Sequence, residues 1–328
     1  MMNFINGIFI SIFRYVALIS SIIVQAANAQ DFPVKPIRII VPATAGGASD
    51  RIARTLSIPL SENLKTPVVI ENKPGSAPIL GMSFVANAAP DGHTIAYMHT
   101  AVIQQPSLKM KIPYEFFRDF TPLAQINEAA NVLVVSKASN IQSVEELVRR
   151  AKENPREYAY GSYGPGTSAN IQGESFKAQA GIDITHVAYK GSSPLLVDLL
   201  GGQINVGWVD IMTLQPYIKS GRVKAIAVTG TAPLRDLPDV PTMTSLGYKY
   251  MDLVGWQGLA VRSDVPAPIV ERLRGAVASA LAADEVRNLL LQIGATPGHI
   301  SAQEFSEKMR SDAAIWKKLI EEAHIQVE

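Results

Sequence analysis

From residue 37 onward the chain switches repeatedly between two hydrophobic periods. Short β-branched runs at residues 37–41, 68–71 and 94–98 are separated by stretches, 50–60 and 80–88, whose apolar positions return every three or four residues. The first pattern predicts buried strands and the second predicts amphipathic helices laid across them. Their alternation reads as βαβ units on a largely parallel sheet. A second series repeats the scheme, with strands at 132–136, 158–160, 185–188, 204–209 and 225–228. Its helices are expected at 143–154, 168–180, 194–200 and 214–220, and Ser143 with Glu146 has capping-box spacing at the start of the first.

Beyond the Leu237-Pro238-Asp239-Val240-Pro241 loop, the pattern predicts a strand at 254–261 and helices at 268–282 and 302–323. These last helices have no sheet of their own, so they are expected to pack back on the first unit. The result is an α/β protein of two lobes, 30–125 with 253–328 and 126–252, joined by two crossings near 125–131 and 250–256. Two such crossings suit a hinge.

The first 29 residues differ in kind. An apolar core at 16–24 leads to Ala27-Asn28-Ala29, the pattern of a secretory leader cut after Ala29. Arg14 interrupts the apolar stretch, and the run beyond it is shorter than the roughly 20 residues a membrane span needs. The mature chain is therefore expected in the periplasm.

Composition narrows the function. The chain has 328 residues, with 30 Lys and Arg against 29 Asp and Glu. Arg14 falls in the leader, which leaves 29 of each sign and no basic field for nucleic acid. Cysteine is absent, which removes thiolate metal sites, cysteine nucleophiles and disulfides. The five histidines show no metal-ligand spacing, and no phosphate-loop or dinucleotide fingerprint is present. No cofactor is expected.

The candidate chemistry lies in turns between strands and helices. In VPATAGGASD, Gly46 and Gly47 leave the backbone bare, and Ser49 or Asp50 can cap the following helix. A helix start of this kind offers N–H groups and a positive dipole end to an anion. The alternative is an ordinary capped turn. AYGSYGPGTSAN repeats the device, with Gly161, Gly164 and Gly166 keeping the loop open and Ser162, Thr167 and Ser168 supplying hydroxyls. One such loop in each lobe suggests two donor-rich rims on a shared cleft.

Further candidates follow other strands. Lys190 could reach a carboxylate or stand solvated; Asp210 could accept from a ligand or cap a helix; His99 and Thr100 end a strand. For catalysis, Gly166-Thr167-Ser168-Ala169-Asn170 approaches a nucleophile elbow but lacks its last glycine. A secreted hydrolase using Ser168 or Ser162 is the rival reading.

Several stretches, taken together, resemble the Bug family, the TctC-like extracytoplasmic solute receptors of tripartite tricarboxylate transport systems. They include PVKPIRIIVPATAGGASDRIAR, VVIENKPGS, APDGHTIAY, YGSYGPGTSANIQGESF, HVAYKGSSPLLVDLLGGQINV and LPDVPTMTSLGY. The resemblance implies a type II-like periplasmic-binding-protein fold whose lobes close on a small organic anion. It implies carboxylate contacts at Ala45, Gly46, Gly47, Ser49 and Asp50 in one lobe and Ser162, Gly164, Gly166, Thr167 and Ser168 in the other. It also implies a non-enzymatic monomer that hands its ligand to transporter membrane subunits, or to a sensor. Thr44, Ala45, Ser76-Ala77-Pro78, Asn170 and Asn205 depart from the family's usual residues.

Overall fold

The computed structural model describes residues 32–75 and 78–325; the expected leader, its cut after Ala29, and Ser76 with Ala77 lie outside the described residues. Two sheets organise the chain. The first is built from β1 (Ile37–Val41), β2 (Val68–Asn72), β3 (Thr94–His99) and β4 (Phe120–Ala129). The second takes β5 (Asn131–Ser136), β6 (Ala159–Ser162), β7 (Thr185–Ala188), β8 (Val206–Asp210) and β9 (Val223–Val228). The chain then returns to the first sheet with β10 (Gly255–Arg262) and β11 (Thr296–Pro297).

The strand orders are β11-β4-β10-β3-β1-β2 and β7-β6-β8-β5-β9. In each sheet three parallel strands, β2-β1-β3 and β7-β6-β8, meet an antiparallel neighbour, β10 or β5. One residue separates the end of β4 in the first sheet from β5 in the second, and the stretch 229–254 leads back to β10.

Helix α1 (Ala48–Leu64) illustrates how local pattern becomes packing. Ile52, Ala53, Leu56, Leu60 and Leu64 fall on one stripe and are buried, and the helix stops at Lys65, whose φ is 52°. That stripe packs with Ile39, Tyr97 and Leu259 on one face of the first sheet. Ile40, Met98 and Trp256 point to the other face, where they meet α11 (Ala302–Glu322) through Phe305, Met309 and Trp316. As expected, α9 (Ala267–Leu281) also joins this lobe, with Leu273 and Val277 in the α1 cluster. In the second sheet Trp208 and Tyr160 face α6 (Ser168–Ala180) with Phe176, while Val209 and Val134 face α7 (Ser192–Leu200) with Leu195 and Leu199.

Strand β4 and the helix Asp284–Gln292 are among the elements absent from the sequence reading. Strand β4 alternates poorly because Pro122, Gln125 and Asn127 interrupt its apolar residues, and its register with β10 shifts twice. The helix Asp284–Gln292 is short and buries only Val286 and Leu290. The capping pair at Ser143 is half formed. Its Oγ accepts from the Glu146 N–H at 3.2 Å, but the Glu146 carboxylate accepts from the Gln142 N–H at 2.7 Å rather than from that of Ser143. The reciprocal box occurs instead at Ser301 and Glu304.

Candidate functional site

The C-terminal ends of the parallel strands in both sheets face one another. Gln104, one turn beyond β3, donates through Nε2 to Oγ of Ser168, the first residue of α6, at 2.9 Å. In sheets of this kind ligands sit beyond the carboxyl ends of the strands.

Each edge carries the same turn. In the first lobe, Gly46 has φ of +82°, its N–H donates to Asp50 Oδ2 at 2.9 Å, and the Gly47 N–H reaches the Thr44 carbonyl at 3.4 Å. In the second lobe, Gly166 has φ of +67°, its N–H donates to Asn170 Oδ1 at 3.0 Å, and the Thr167 N–H reaches the Gly164 carbonyl at 3.4 Å. Glycine is needed at 46 and 166 because a side chain at that φ is strained. The first helical bonds also match, Arg51 N–H to Gly47 at 3.0 Å and Ile171 N–H to Thr167 at 2.9 Å. Residues 44–50 and 164–170 are thus one structural unit used twice.

Neither helix is capped by a side chain, which corrects the expectation for Ser49 and Asp50. The N-cap residues are Gly47 and Thr167. Ser49 Oγ accepts from Gln257 Nε2 at 3.0 Å, and Thr167 Oγ1 donates to the Gly164 carbonyl at 2.6 Å. The first-turn N–H groups of α1 therefore have no side-chain cap, whereas at α6 the Tyr163 hydroxyl stands against the Ala169 N–H and Ser168. Ser168 is the first helical residue rather than a cap.

Asp50 braces the first turn. Its Oδ2 accepts from both the Gly46 N–H and Arg54 Nε, each at 2.9 Å. Burial pushes its carboxyl up, but these bonds together with one from Asn72 outweigh burial and hold it below the usual range. Below Ser49, Gln257 Oε1 accepts from Tyr97 OH at 2.6 Å and Asn127 Nδ2 at 2.9 Å.

The remaining candidates divide. Thr100 is buried and its Oγ1 accepts from the Trp256 N–H at 2.7 Å, tying β3 to β10. Asp210 is the N-cap of α8 (Ile211–Lys219), accepting from the Thr213 N–H at 2.9 Å and from Ser192 Oγ at 2.6 Å. Lys190 is exposed on the loop after β7 and has no ionic or hydrogen-bonding partner among the described residues. His99 is pushed down to about 4 by burial, so it is neutral at physiological pH. Thr44, Ala45 and Gly46 are exposed, whereas Ser162, Gly164, Gly166 and Ser168 are buried.

Sequence reasoning missed Gln104, Gln257 and Asn131. Asn131 accepts from Tyr163 OH at 3.2 Å and donates to Gln172 Oε1 at 2.6 Å, which ties the crossing strand to the second turn and to α6. Only Tyr163, inside YGSYGPGTS, carried a signal. A fully buried glutamine such as Gln104 looks in sequence like any surface amide.

The serine-nucleophile geometry is partly present. Ser162 Oγ lies 2.8 Å from His186 Nε2, yet Ser162 has no exposed surface and its hydroxyl is shared between the Gly164 N–H and carbonyl, each at 3.3 Å. Ser168 bonds to Gln104 instead of a histidine. Among the described residues no cluster of His, Cys, Asp or Glu could hold a metal, and no helix is long and apolar enough to cross a membrane. A cavity of about 790 Å³ lies away from these turns, against β1 and β2, lined by Lys35, Arg38, Val69, Leu80 and Phe84.

The sequence model of the TctC family, described as the tripartite tricarboxylate transporter family receptor, matches residues 52–325. The chain belongs to this family. A relative from Pseudomonas sp. (strain P51), the UPF0065 protein in the tcbD-tcbE intergenic region, is 33% identical over 299 residues, covering 91% of this chain and 89% of its own. The structure of R. palustris Rpa4515 with adipate is 31% identical with a TM-score of 0.84, covering 90% of this chain and 99% of that one. MatC from Rhodopseudomonas palustris with bound malate is 27% identical with a TM-score of 0.81, covering 88% of this chain and all (100%) of that one. The fold is that of the two-lobed, type II-like periplasmic binding proteins, as the resemblance implied. In this TctC chain the two turns stand one in each lobe.

Proposed function

We propose that this receptor captures a small organic carboxylate, a di- or tricarboxylate, an acidic amino acid or an aromatic acid, without chemistry, and passes it to the membrane subunits of a tripartite tricarboxylate-type transporter. The observation that carries this reading is the repeated glycine turn: two helix starts, one per lobe, neither capped by its own N-cap side chain, with the Tyr163 hydroxyl beside the second. Ala45, Gly46, Gly47 and Ser49 would line one side, and Gly164, Gly166, Thr167 and Ser168 the other. Lys190 adds a cation at the rim.

Backbone N–H groups at a helix start replace the water that a carboxylate gives up, and they cost no side-chain ordering. Capture at micromolar concentration needs about −8 kcal/mol, within reach of two such sites acting on one ligand. One lobe is built on the sheet that runs through β4 to Ala129 and resumes at β10, the other on the sheet from β5 to β9, and closure follows from contacts that both make to the ligand. Carboxylates bound to relatives, adipate and malate, support the ligand class. The leader, cut after Ala29, would deliver the chain to the periplasm.

A thermal-shift screen of organic acids, followed by calorimetry, tests the proposal, because a ligand that binds only the folded state raises its melting temperature. Carboxylates are expected to raise Tm and neutral sugars to leave it unchanged. The reverse, or ester turnover that disappears in Ser162→Ala or Ser168→Ala, would overturn it.

A further inference from the structure

Behind the second turn a chain of hydrogen bonds leads from the surface to Gly166. Tyr160 OH donates to Glu174 Oε1 at 2.5 Å and lies 3.3 Å from Asn170 Nδ2. Asn170 Nδ2 also lies 3.4 Å from His186 Nδ1, and His186 Nε2 lies 2.8 Å from Ser162 Oγ. The His186 ring stacks on Tyr160 with centroids 4.7 Å apart.

Donor and acceptor accounting allows one arrangement. Gly166 N–H needs an acceptor, so Asn170 presents Oδ1 to it and its NH₂ to Tyr160 and His186. His186 Nδ1 must then be bare, which places the ring proton on Nε2, aimed at Ser162. Ser162 Oγ accepts from His186 and the Gly164 N–H and donates to the Gly164 carbonyl. Every group is satisfied only while the imidazole is neutral.

Protonation breaks this arrangement with no remedy. A proton on Nδ1 faces the Asn170 NH₂, donor against donor. Flipping the amide relieves that contact but turns NH₂ toward the Gly166 N–H, so one of the two contacts is repulsive either way.

We propose that His186 is a positioning residue for the second half of the clamp: its neutral form holds Asn170, and through Asn170 the Gly166 turn, in ligand-binding geometry. This rests on the carboxylate-receptor reading of the turn. Ligand affinity then falls as His186 takes up a proton, although His186 touches no ligand. The groups that act on the ring are Tyr160 and Ser162 from β6 and Asn170, Glu174 and Lys177 from α6. Burial lowers its pKa, Glu174 opposes this, and Lys177 adds to it, so the change falls below the ordinary histidine range.

The test begins without ligand. In protein carrying ¹⁵N-labelled histidine and glycine, His186 is expected to show a bare Nδ1 and a protonated Nε2 near neutral pH. The Gly166 amide should lose exchange protection with the same midpoint as the ring, and should not titrate in His186→Gln, which keeps a neutral donor toward Ser162. An Nδ1–H tautomer, or a Gly166 amide indifferent to the ring, overturns the proposal. Calorimetry with malate as the probe gives a second arm: wild-type affinity is expected to fall about tenfold per pH unit below the midpoint, with no such added slope in His186→Gln. Equal pH profiles would overturn the positioning role and leave the receptor reading intact. Failure of malate and every other carboxylate to bind would count against the receptor reading, while the amide measurement still decides the role of His186.

Discussion

Gln104 and Ser168 meet across the cleft at 2.9 Å, and neither is more than 5% exposed. Their bond joins the end of β3 in one lobe to the start of α6 in the other, so it acts on closure. A neutral hydrogen bond of this kind contributes about 1 kcal/mol. Gln104→Leu is expected to lower the closed population and weaken ligand affinity by up to about fivefold. Small-angle scattering should show a larger radius of gyration in the free variant, and an unchanged radius with unchanged affinity would rule out a latch.

Gly173 lies on α6 where an added Cβ would sit 2.7 Å from Tyr160 Cζ. Helix propensity alone favours Gly173→Ala by about 1 kcal/mol. Overpacking against a fully buried ring costs about 1–3 kcal/mol and displaces the tyrosine whose hydroxyl meets Asn170. A lower denaturation midpoint together with weaker ligand binding is expected. A gain in stability would show that propensity wins and that the packing argument is wrong.

Lys190→Gln separates charge from fold. The side chain is exposed and has no partner among the described residues, so melting temperature should not change. Affinity for a dicarboxylate should fall about two- to tenfold at low salt, and the difference should shrink as ionic strength rises. Identical affinities at low salt would remove Lys190 from the site.

Asp312 on α11 is 5% exposed and lies 3.0 Å from Lys308 Nζ. Burial pushes its carboxyl up, Lys308 pulls it down, and Glu128 and Asp252 push it up again, leaving it above the ordinary value. A raised carboxyl pKa means the folded state holds the proton longer, so its contribution to stability is present at low pH and lost as pH rises through the shifted range. Asp312→Asn is therefore expected to raise Tm near pH ~7 and to lose that advantage near pH ~4. Calorimetric Tm values showing a constant difference at both pH values would contradict this sign.

The legible part of the molecule is the part written in local patterns. Ile37 to Val41, the stripe of α1, and α6 with its glycine-rich entry were all visible, because burial of an apolar stripe and the conformational need for Gly46 and Gly166 leave marks on neighbouring residues. The family, too, was legible, through stretches that run in order along the chain and match its sequence model. Strand β4 was not, because its partners β10 and β11 lie far away in sequence and its polar residues Gln125 and Asn127 face buried neighbours. The same limit hid the site's polar support. Ser49 reads as a helix cap until Gln257, 208 positions away, is seen to take its hydroxyl. Asp50 reads as a cap or ligand contact and Asn170 only as a departure from the family's usual residues, yet each is the brace of its own turn.

The doubled turn has a mechanical consequence. Gly46 with Asp50 and Gly166 with Asn170 are bonded within their own lobes, so rotation of one lobe against the other leaves both turns unchanged. On the proposed reading of the two turns, the arrangement is a caliper: two jaws of fixed shape and one adjustable gap. Its reading is the distance between a ligand's two gripped ends, and molecules too short or too long to span the closed gap lose one jaw altogether.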